Sequence, residues 1–256
     1  MPVVRINTYL DAYRLRAQGE DIHELAARPQ KEAVTEFVSR QILEALQPGP
    51  GDVLVDIGCG DASLLKMAGG CASKCIGIVG TVEEKMRLES AIPGPSFIAA
   101  NAQELPLESA SSSKIVCNAM LIYLPTAKEV ETSLREIARV ARPGATIWVG
   151  EIPKIDEYAH YRMYRGNSMT AYLWHLLRHH GRRSFLGMIR RWLKAVTGSE
   201  QIVLNSAGMF FAEPEELISL AEGCGLRLKA HFRHKELDKG GKVVDSEFRY
   251  DYVFTI

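Results

Sequence analysis

The sequence predicts an α/β protein whose sheet is largely parallel, and three observations support this. Between residues 53 and 150, short apolar runs that suit strands alternate with segments whose apolar residues recur at helical spacing. Such alternation places helices on both faces of a parallel sheet. The first run, Val53–Ile57, ends in a glycine turn that opens a helix, and the last, Phe248–Ile256, alternates aromatic and polar residues like a half-buried strand.

The elements follow one another in a regular order. Residues 1–47 have helical spacing, and the proline and glycine residues at 48–51 end that segment before the first strand. The predicted helices after it are Ala62–Ala68, Val82–Ser90, Thr126–Ala141 and Pro214–Cys224. The predicted strands are Val53–Ile57, Cys75–Val79, Ser96–Ala100, Lys114–Asn118, Thr146–Gly150, Leu226–Phe232 and Phe248–Ile256.

One segment interrupts the alternation and divides the chain. Residues 152–207 carry helical patterns rich in Tyr, His, Trp and Arg, which predict a helical substrate cap inserted after the fifth strand. We therefore predict an N-terminal helical segment at 1–50 and a cofactor-binding core at 51–151. The cap follows at 152–207, and 208–256 completes the core with closing antiparallel strands.

The composition is that of an ordinary globular protein. The chain has 256 residues, of which 46% are hydrophobic and 24% charged, and its formal net charge of zero attracts no nucleic acid. Its five cysteines show no metal-ligand spacing, which indicates free thiols in a reducing compartment and no metal site. No secretory leader or membrane-spanning run is evident, so we expect a cytoplasmic protein.

The turn at Asp56–Gly60 carries the most chemical information. Gly58 and Gly60 allow positive φ and let a ligand approach the backbone. Ser63 stands where a dinucleotide fingerprint has its third glycine, and no Gly-Lys-Ser/Thr follows, so neither a pyrophosphate site nor a P-loop is indicated. Because Asp56 would repel a phosphate, the turn suits a cationic or neutral ligand with hydroxyl and amino groups.

The run Asp56-Ile57-Gly58-Cys59-Gly60 resembles motif I of the class I S-adenosylmethionine-dependent methyltransferases. The resemblance is close over residues 50–151 and looser over 211–256, and Asn101-Ala102 followed by Leu105-Pro106 agrees with it. It implies a Rossmann-like seven-stranded mixed sheet with helices on both faces, closed by an antiparallel hairpin. It also implies S-adenosyl-L-methionine as the cofactor.

The resemblance further implies cofactor contacts after successive strands. Asp56, Gly58 and Gly60 would hold the amino-acid end, and the turn after the third strand would hold the adenine. The implied cofactor-binding residues are Asp56, Gly58, Cys59, Gly60, Gly80, Thr81, Asn101, Ala102, Gln103 and Asn118.

The chain departs from the family after the second strand. Val79 stands where the family usually has an acidic residue for the ribose hydroxyls, and valine accepts no hydrogen bond. A ribose hydroxyl buried without a partner would cost about 1–3 kcal/mol. Either Glu83 or Glu84, the Gly80 backbone or an ordered water replaces that residue, or the cofactor binds weakly or not at all.

Three candidate catalytic residues lie outside the glycine turn. Tyr123 takes the place of the second histidine in the family's His-His-Leu-Pro segment, which borders the transferred methyl group; its alternative role is a half-buried aromatic residue that caps the sheet. His160 and His175 are candidate general bases, and their alternative role is packing or surface exposure. Asp61 either caps the following helix or contacts the cofactor.

The basic and aromatic 152–207 block admits three interpretations. It is a solvated basic face over packed aromatic residues, a pocket for an anionic small molecule, or a surface that docks on an anionic membrane. We expect methyl transfer to a small-molecule acceptor such as a sugar, an anionic metabolite or a natural-product intermediate. The alternatives are a relative that has lost cofactor binding and serves as a scaffold, and a peripheral membrane enzyme. No nucleic-acid substrate is expected.

Overall fold

The computed structural model describes residues 3–6, 8–19, 21–26, 31–154, 170, 173–174, 177–178, 181–197, 202–205, 209–238 and 240–256. The chain divides into two compact units. The smaller unit comprises Met1–Ala12 and Asp156–Gly208, and the larger comprises Tyr13–Ile155 and Met209–Ile256. Each unit is described by itself below.

The larger unit is built on a seven-stranded mixed sheet, as the sequence predicts. The strands are β2 (Val53–Ile57), β3 (Lys74–Val79), β4 (Ser96–Ala99), β5 (Ser112–Asn118), β6 (Ala141–Pro153), β8 (Arg227–Leu237) and β9 (Val243–Thr255). Their order in the sheet is β4-β3-β2-β5-β6-β9-β8. The strands β2 to β6 are parallel, and β9 is antiparallel to both β6 and β8.

Helices cover both faces of this sheet. The helices are α2 (Lys31–Leu46), α3 (Ser63–Ala68), α4 (Val82–Ala91), α5 (Ala127–Val140) and α7 (Pro214–Gly223), with 3₁₀ turns at Ile22–Ala26 and Leu121–Tyr123. Successive strand residues point to opposite faces. Leu54 accordingly packs with the apolar residues of α2 and α3, whereas Val55 packs with those of α5 and α7.

The helix α5 shows how the sequence sets an element. Thr126 and Glu129 form a capping box that satisfies the free N–H groups at its start. Val130, Leu134 and Ile137 recur at helical spacing and are fully buried. The observed helix therefore lies one residue inside each predicted boundary.

The smaller unit corrects two predictions. The N-terminal segment is not helical throughout, because Val3–Ile6 is a strand, β1. The 152–207 block is not wholly helical either, because Ile202–Asn205 is a strand, β7, which pairs in parallel with β1. Both runs are too short for periodicity to distinguish strand from helix, and each partner is remote in sequence. The amphipathic helix α6 (Gly181–Val196) belongs to this unit, and α1 (Tyr9–Ala17) spans the boundary.

None of the helices in the described ranges is long and apolar enough to span a membrane.

Candidate active site

The predicted site residues of the larger unit collect at one edge of the sheet. Because β2 to β6 are parallel, their carboxyl ends lie along the same edge, where ligands of such sheets bind. The β8 strand shares that direction, since it is antiparallel to β9, which is antiparallel to β6. The structure therefore brings the turns after β2, β3, β4 and β5 together.

The glycine turn after β2 has little room for side chains. Gly58 has φ +78°, and a Cβ there would lie 2.7 Å from Met120 Cγ. Gly60 has φ +54° and faces the 3₁₀ turn, where a Cβ would lie 3.3 Å from Ala26 Cα. Ala62 is also left-handed, with φ +58°, and is fully buried. The predicted helix start at Ala62 is therefore wrong by one residue, because this residue belongs to the turn.

Two buried groups support the turn. Asp56, at the strand end, is 5% exposed. Burial, reinforced by the charge of Asp56, raises the pKa of the Cys59 thiol well above its usual range, so the thiol stays neutral. A Cβ on Gly77 of β3 would lie only 2.8 Å from Cys59 Sγ. Cys59 thus packs the turn against the neighbouring strand.

An N-terminal segment, residues 13–19 and 21–26, lies against this turn. Asp61 Oδ2 is 2.7 Å from His23 Nδ1, and Asp61 Oδ1 accepts a hydrogen bond from the Ser63 N–H at 3.1 Å. Arg87 of α4 donates to the Ala17 carbonyl at 2.8 Å. Asp61 therefore accepts the first N–H of α3 and anchors the N-terminal segment, but it is not the N-cap residue, because Ala62 occupies that position.

The structure separates the two glutamates proposed to replace an acidic residue at Val79. Val79 itself is buried and apolar. Glu83 is exposed, whereas Glu84 is 3% exposed. Glu84 Oε2 accepts a hydrogen bond from Thr81 Oγ1 at 2.8 Å, and burial raises the pKa of the Glu84 carboxyl. Glu84 is therefore an inward carboxyl group, one turn beyond the strand end.

The turn after β4 is shaped by its own side chain. Asn101 Oδ1 accepts a hydrogen bond from the Gln103 N–H at 3.0 Å, and Ala102 between them is buried. Arg139 of α5 donates to the Leu105 and Leu107 carbonyls, each at 2.8 Å. The helix α5 thus holds the loop that follows this turn.

Tyr123 has a partner that sequence reasoning missed. The rings of Tyr13 and Tyr123 meet edge to face with centroids 5.8 Å apart. Arg16 lies over the Tyr13 ring, 4.8 Å from its centroid. Burial, then the neighbouring Tyr123, raises the pKa of the Tyr13 hydroxyl well above 10.0, so it stays protonated. The irregular N-terminal pattern offered no signal for these contacts.

A second set of polar side chains lies at the ends of β5 and β6. Asn118 Oδ1 accepts a hydrogen bond from Trp148 Nε1 at 3.1 Å, and Asn118 Nδ2 donates to Glu151 Oε1 at 2.9 Å. Glu151 Oε2 pairs with Arg249 Nη1 at 2.5 Å, and Arg249 Nη2 reaches Glu236 Oε2 at 2.9 Å. Glu151 has φ +58°. Only Asn118 of this set was predicted.

The comparison with solved structures gives the same fold. The chain is similar to an S-adenosylmethionine-dependent methyltransferase from Methanosarcina mazei, with 19% identity over 84% of this chain and 96% of that one, at a TM-score of 0.58. It is also similar to the N-methyltransferase NodS of Bradyrhizobium japonicum in complex with S-adenosyl-L-homocysteine. The two chains are 12% identical over 97% of this chain and 98% of that one, at a TM-score of 0.58. A third similar structure is magnesium protoporphyrin IX methyltransferase from Synechocystis, with 11% identity over 96% of this chain and 93% of that one, at a TM-score of 0.53.

The sequence comparison is more specific. No curated protein matches this chain. A family model described as a methyltransferase domain matches residues 55–149, from the glycine turn to the fifth strand of the core. These residues form a class I S-adenosylmethionine-dependent methyltransferase domain. The matched domain thus agrees with the enzyme class that the motif at Asp56–Gly60 implied, which uses S-adenosyl-L-methionine as its cofactor, and the solved structures agree with the implied fold.

The residues of the methyltransferase fit this cofactor. Gly58 and Gly60 have positive φ and carry no side chains, which suits a turn whose backbone approaches a ligand. The buried carboxyl groups of Asp56 and Glu84 suit an ammonium group and hydroxyl groups, and would disfavour a phosphate.

Two predicted catalytic residues, His160 and His175, lie outside the described residues. Within the described ranges, no group of three His, Cys, Asp or Glu side chains is arranged to hold a metal ion.

Proposed function

We propose that this methyltransferase acts on a small-molecule acceptor. The N-terminal segment carries the proposal, because Tyr13 packs on Tyr123, and Leu25 and Ala26 lie over Gly60. This segment narrows the approach to the carboxyl edge, which favours a small acceptor over a polymer. The zero net charge and the absence of an Asn-Pro-Pro-Tyr-like sequence at Asn118 also weigh against nucleic acid.

An extract-based labelling experiment tests the acceptor class. The protein is incubated with a cell extract and S-adenosylmethionine labelled on its methyl group, and the products are separated by filtration into small molecules, protein and RNA. We expect label in the small-molecule fraction, absent with an Asp56→Ala variant. Label that accumulates in the protein or RNA fraction contradicts the proposal.

We propose these roles for the cofactor-binding residues. Asp56 with Gly58, Cys59 and Gly60 holds the amino-acid end, and Asn101, Ala102 and Gln103 hold the adenine. Glu84, together with Gly80 and Thr81, receives the ribose hydroxyls in place of the acidic residue missing at Val79. The buried position of Glu84 and its bond to Thr81 support this choice over the exposed Glu83.

The chemistry that remains for the chain is mainly orientation. The cofactor supplies an electrophilic methyl group on a sulfonium that is a good leaving group. Effective catalysis then depends on aligning the acceptor, which can lower a barrier by several kcal/mol, about 7–11 in the best cases. We propose that Tyr123, braced by Tyr13, orients the acceptor beside the methyl group. His160 and His175 stay candidate general bases for an acceptor that must lose a proton.

A specific observation favours a second candidate, contact with an anionic membrane. The helix α6 carries basic residues and no acidic ones, and leaves large apolar side chains exposed. Leu186 and Leu193 are each 53% exposed, and Trp192 is 41% exposed. The basic side chains in this helix are Arg182, Arg183, Arg190, Arg191 and Lys194. Basic residues combined with exposed Leu and Trp are typical of helices that lie in a membrane interface.

Vesicle binding tests this candidate with a matched control. Vesicles with anionic lipid should retain the protein, and zwitterionic vesicles should retain less. The change L186E/L193E should abolish retention, whereas V82E/M86E, at equally exposed apolar positions of α4, should not. Equal retention of both variants, or none of the native protein, contradicts membrane contact. The five free cysteines support a cytoplasmic location for either candidate.

A further inference from the structure

Asn118 lies at the same edge of the sheet as the cofactor turn. In the pairing of β2 with β5, Asp56 is opposite Val116, and Asn118 follows Val116 by two residues at the carboxyl end of β5. In the pairing of β5 with β6, Asn118 is opposite Gly150. Asn118 therefore lies at the end of the strand between β2, which leads into the cofactor turn, and β6.

Two neighbours of opposite kind set the orientation of this amide. The indole of Trp148 can only donate a hydrogen bond, so it must face Oδ1, at 3.1 Å. The carboxylate of Glu151 can only accept, so it must face Nδ2, at 2.9 Å. A flipped amide would lose both bonds. One Nδ2 hydrogen then has no partner within the described part of the chain, and Asn118 offers a donor.

Glu151 is itself held in an unfavourable conformation. Its φ of +58° is left-handed, a conformation that is unfavourable for a residue with a Cβ. Such a conformation persists only where surrounding contacts determine it. Here Arg249 holds the carboxylate at 2.5 Å, and Asp251 Oδ1 accepts the Glu151 backbone N–H at 2.8 Å. Asp251 is in turn paired with His234 Nδ1 at 2.9 Å, and both are buried.

The neighbouring glycine keeps this arrangement open. A Cβ on Gly150 would overlap both Asn118 Oδ1 and Trp148 Nε1. Any side chain at this position would push apart the two groups that form the hydrogen bond. Residues 148, 150 and 151 of β6 thus act together on the Asn118 amide.

We propose that Glu151 is a positioning residue that acts through Asn118. With Trp148, it turns the amide so that Nδ2 donates to the carboxylate at the amino-acid end of the cofactor. Asp56, an acceptor, suits the ammonium group at the same end, so donor and acceptor together match a zwitterion. The inference rests on the cofactor role proposed above for Asn118.

A double variant that exchanges the side-chain types of Asn118 and Glu151 distinguishes a positioning role of Glu151 from a purely structural one. N118D alone sets two carboxylates against each other, and E151Q alone sets an amide against Arg249. In N118D/E151Q, the new carboxylate at position 118 can accept from Trp148 and from the new amide at position 151. Arg249 can donate to the oxygen of that amide, and the net charge is unchanged. The measurements are the free energy of unfolding in urea and the Kd for S-adenosylhomocysteine by calorimetry.

We expect the double variant to recover most of the stability that N118D loses, while its affinity for S-adenosylhomocysteine stays at least tenfold below that of the native protein. The reason is that a carboxylate at position 118 has no hydrogen to donate and repels the cofactor carboxylate. If affinity recovers with stability, the network is only structural and the inference is overturned.

A further variant keeps the experiment decisive if N118D does not fold. Asn118→Ala removes the amide without adding charge, and we expect it to weaken binding about tenfold as well. Native affinity in Asn118→Ala would instead contradict the cofactor role of Asn118, on which the inference rests.

Discussion

The two halves of the carboxyl edge are built in different ways. Over β2, β3 and β4, the site consists of turns whose side chains are missing or turned inward, such as Gly58, Gly60 and Val79. Over β5, β6, β9 and β8, it consists of side chains that hold one another, from Asn118 through Glu151 and Arg249 to Glu236. The first half presents backbone to a ligand, and the second presents the Asn118 amide, which its neighbours hold in one orientation.

This difference predicts that a glycine has a different role in each half. In the first half, glycine allows the positive φ of the cofactor turn and its close packing against Met120 and Ala26. In the second half, glycine protects a hydrogen bond between side chains. Adding a methyl group to each should therefore damage different properties of the protein.

The largest effect on stability is expected at Gly150. In G150A, the new methyl group overlaps Asn118 Oδ1 and Trp148 Nε1 in a buried sheet, so the free energy of unfolding should fall by about 3 kcal/mol. Urea denaturation measures it. Gly223→Ala is the control, because a Cβ at this last residue of α7 meets nothing within 4 Å. If G150A loses no more unfolding free energy than the control, the proposed role of Gly150 in protecting the Asn118–Trp148 hydrogen bond is contradicted.

The largest effect on binding is expected at Gly58. In G58A, φ of +78° becomes unfavourable by about 1–2 kcal/mol and the methyl group meets Met120. We expect affinity for S-adenosylhomocysteine to fall by tenfold or more. The control is Gly144→Ala, which has nearly the same φ, +79°, but nothing within 4 Å. It should lose stability and keep native affinity; equal affinity losses in the two variants would contradict the role of this turn.

Substitution of Glu84 tests whether the half of the edge over β2, β3 and β4 also binds the cofactor through a side chain. We expect E84Q to weaken binding roughly tenfold, because an amide NH2 group replaces one of the two carboxyl oxygens available to the ribose hydroxyls, whereas E83Q should bind like the native protein. Burial raises the pKa of Glu84, so the folded state holds its proton to higher pH than the unfolded state. Native stability should therefore fall relative to E84Q as pH rises from the ordinary glutamate pKa through the raised one. A stability difference that is independent of pH would contradict this assignment.

The smallest effect is expected at Arg139, which holds the loop that follows the turn after β4. Arg139→Ala removes hydrogen bonds to the Leu105 and Leu107 carbonyls. We expect unfolding to become easier by about 1 kcal/mol, since the partly exposed side chain is screened by solvent. Arg135→Ala, which breaks a solvent-exposed helical ion pair with Glu131 but no loop contact, should change stability less than Arg139→Ala does. Thermal unfolding distinguishes the two.

The same contrast explains what the sequence could predict. The first half depends on local pattern, a strand that ends in Asp56-x-Gly58-x-Gly60, so its place and its cofactor class were predictable. The parallel core of the sheet followed from the alternation of strands and helices. The pairing of Val3–Ile6 with Ile202–Asn205 was not predictable, because neither short run has a distinctive period.

The second half depends on partners remote in sequence. Arg249 meets Glu151 across 98 positions, and Asp251 meets the Glu151 backbone across 100. No single segment contains the pattern, so only the folded sheet shows that these groups meet. The same holds for Tyr13 against Tyr123, whose contact depends on how an irregular N-terminal segment folds over the site.

A crystal structure with S-adenosylhomocysteine would show directly how the two halves share the cofactor. We predict that the amino-acid end lies between Asp56 and Asn118 Nδ2, and that the ribose hydroxyls lie within hydrogen-bond distance of Glu84. A ligand whose ribose lies against Val79 with no contact to Glu84, or one bound away from the ends of β2 and β5, would contradict these assignments.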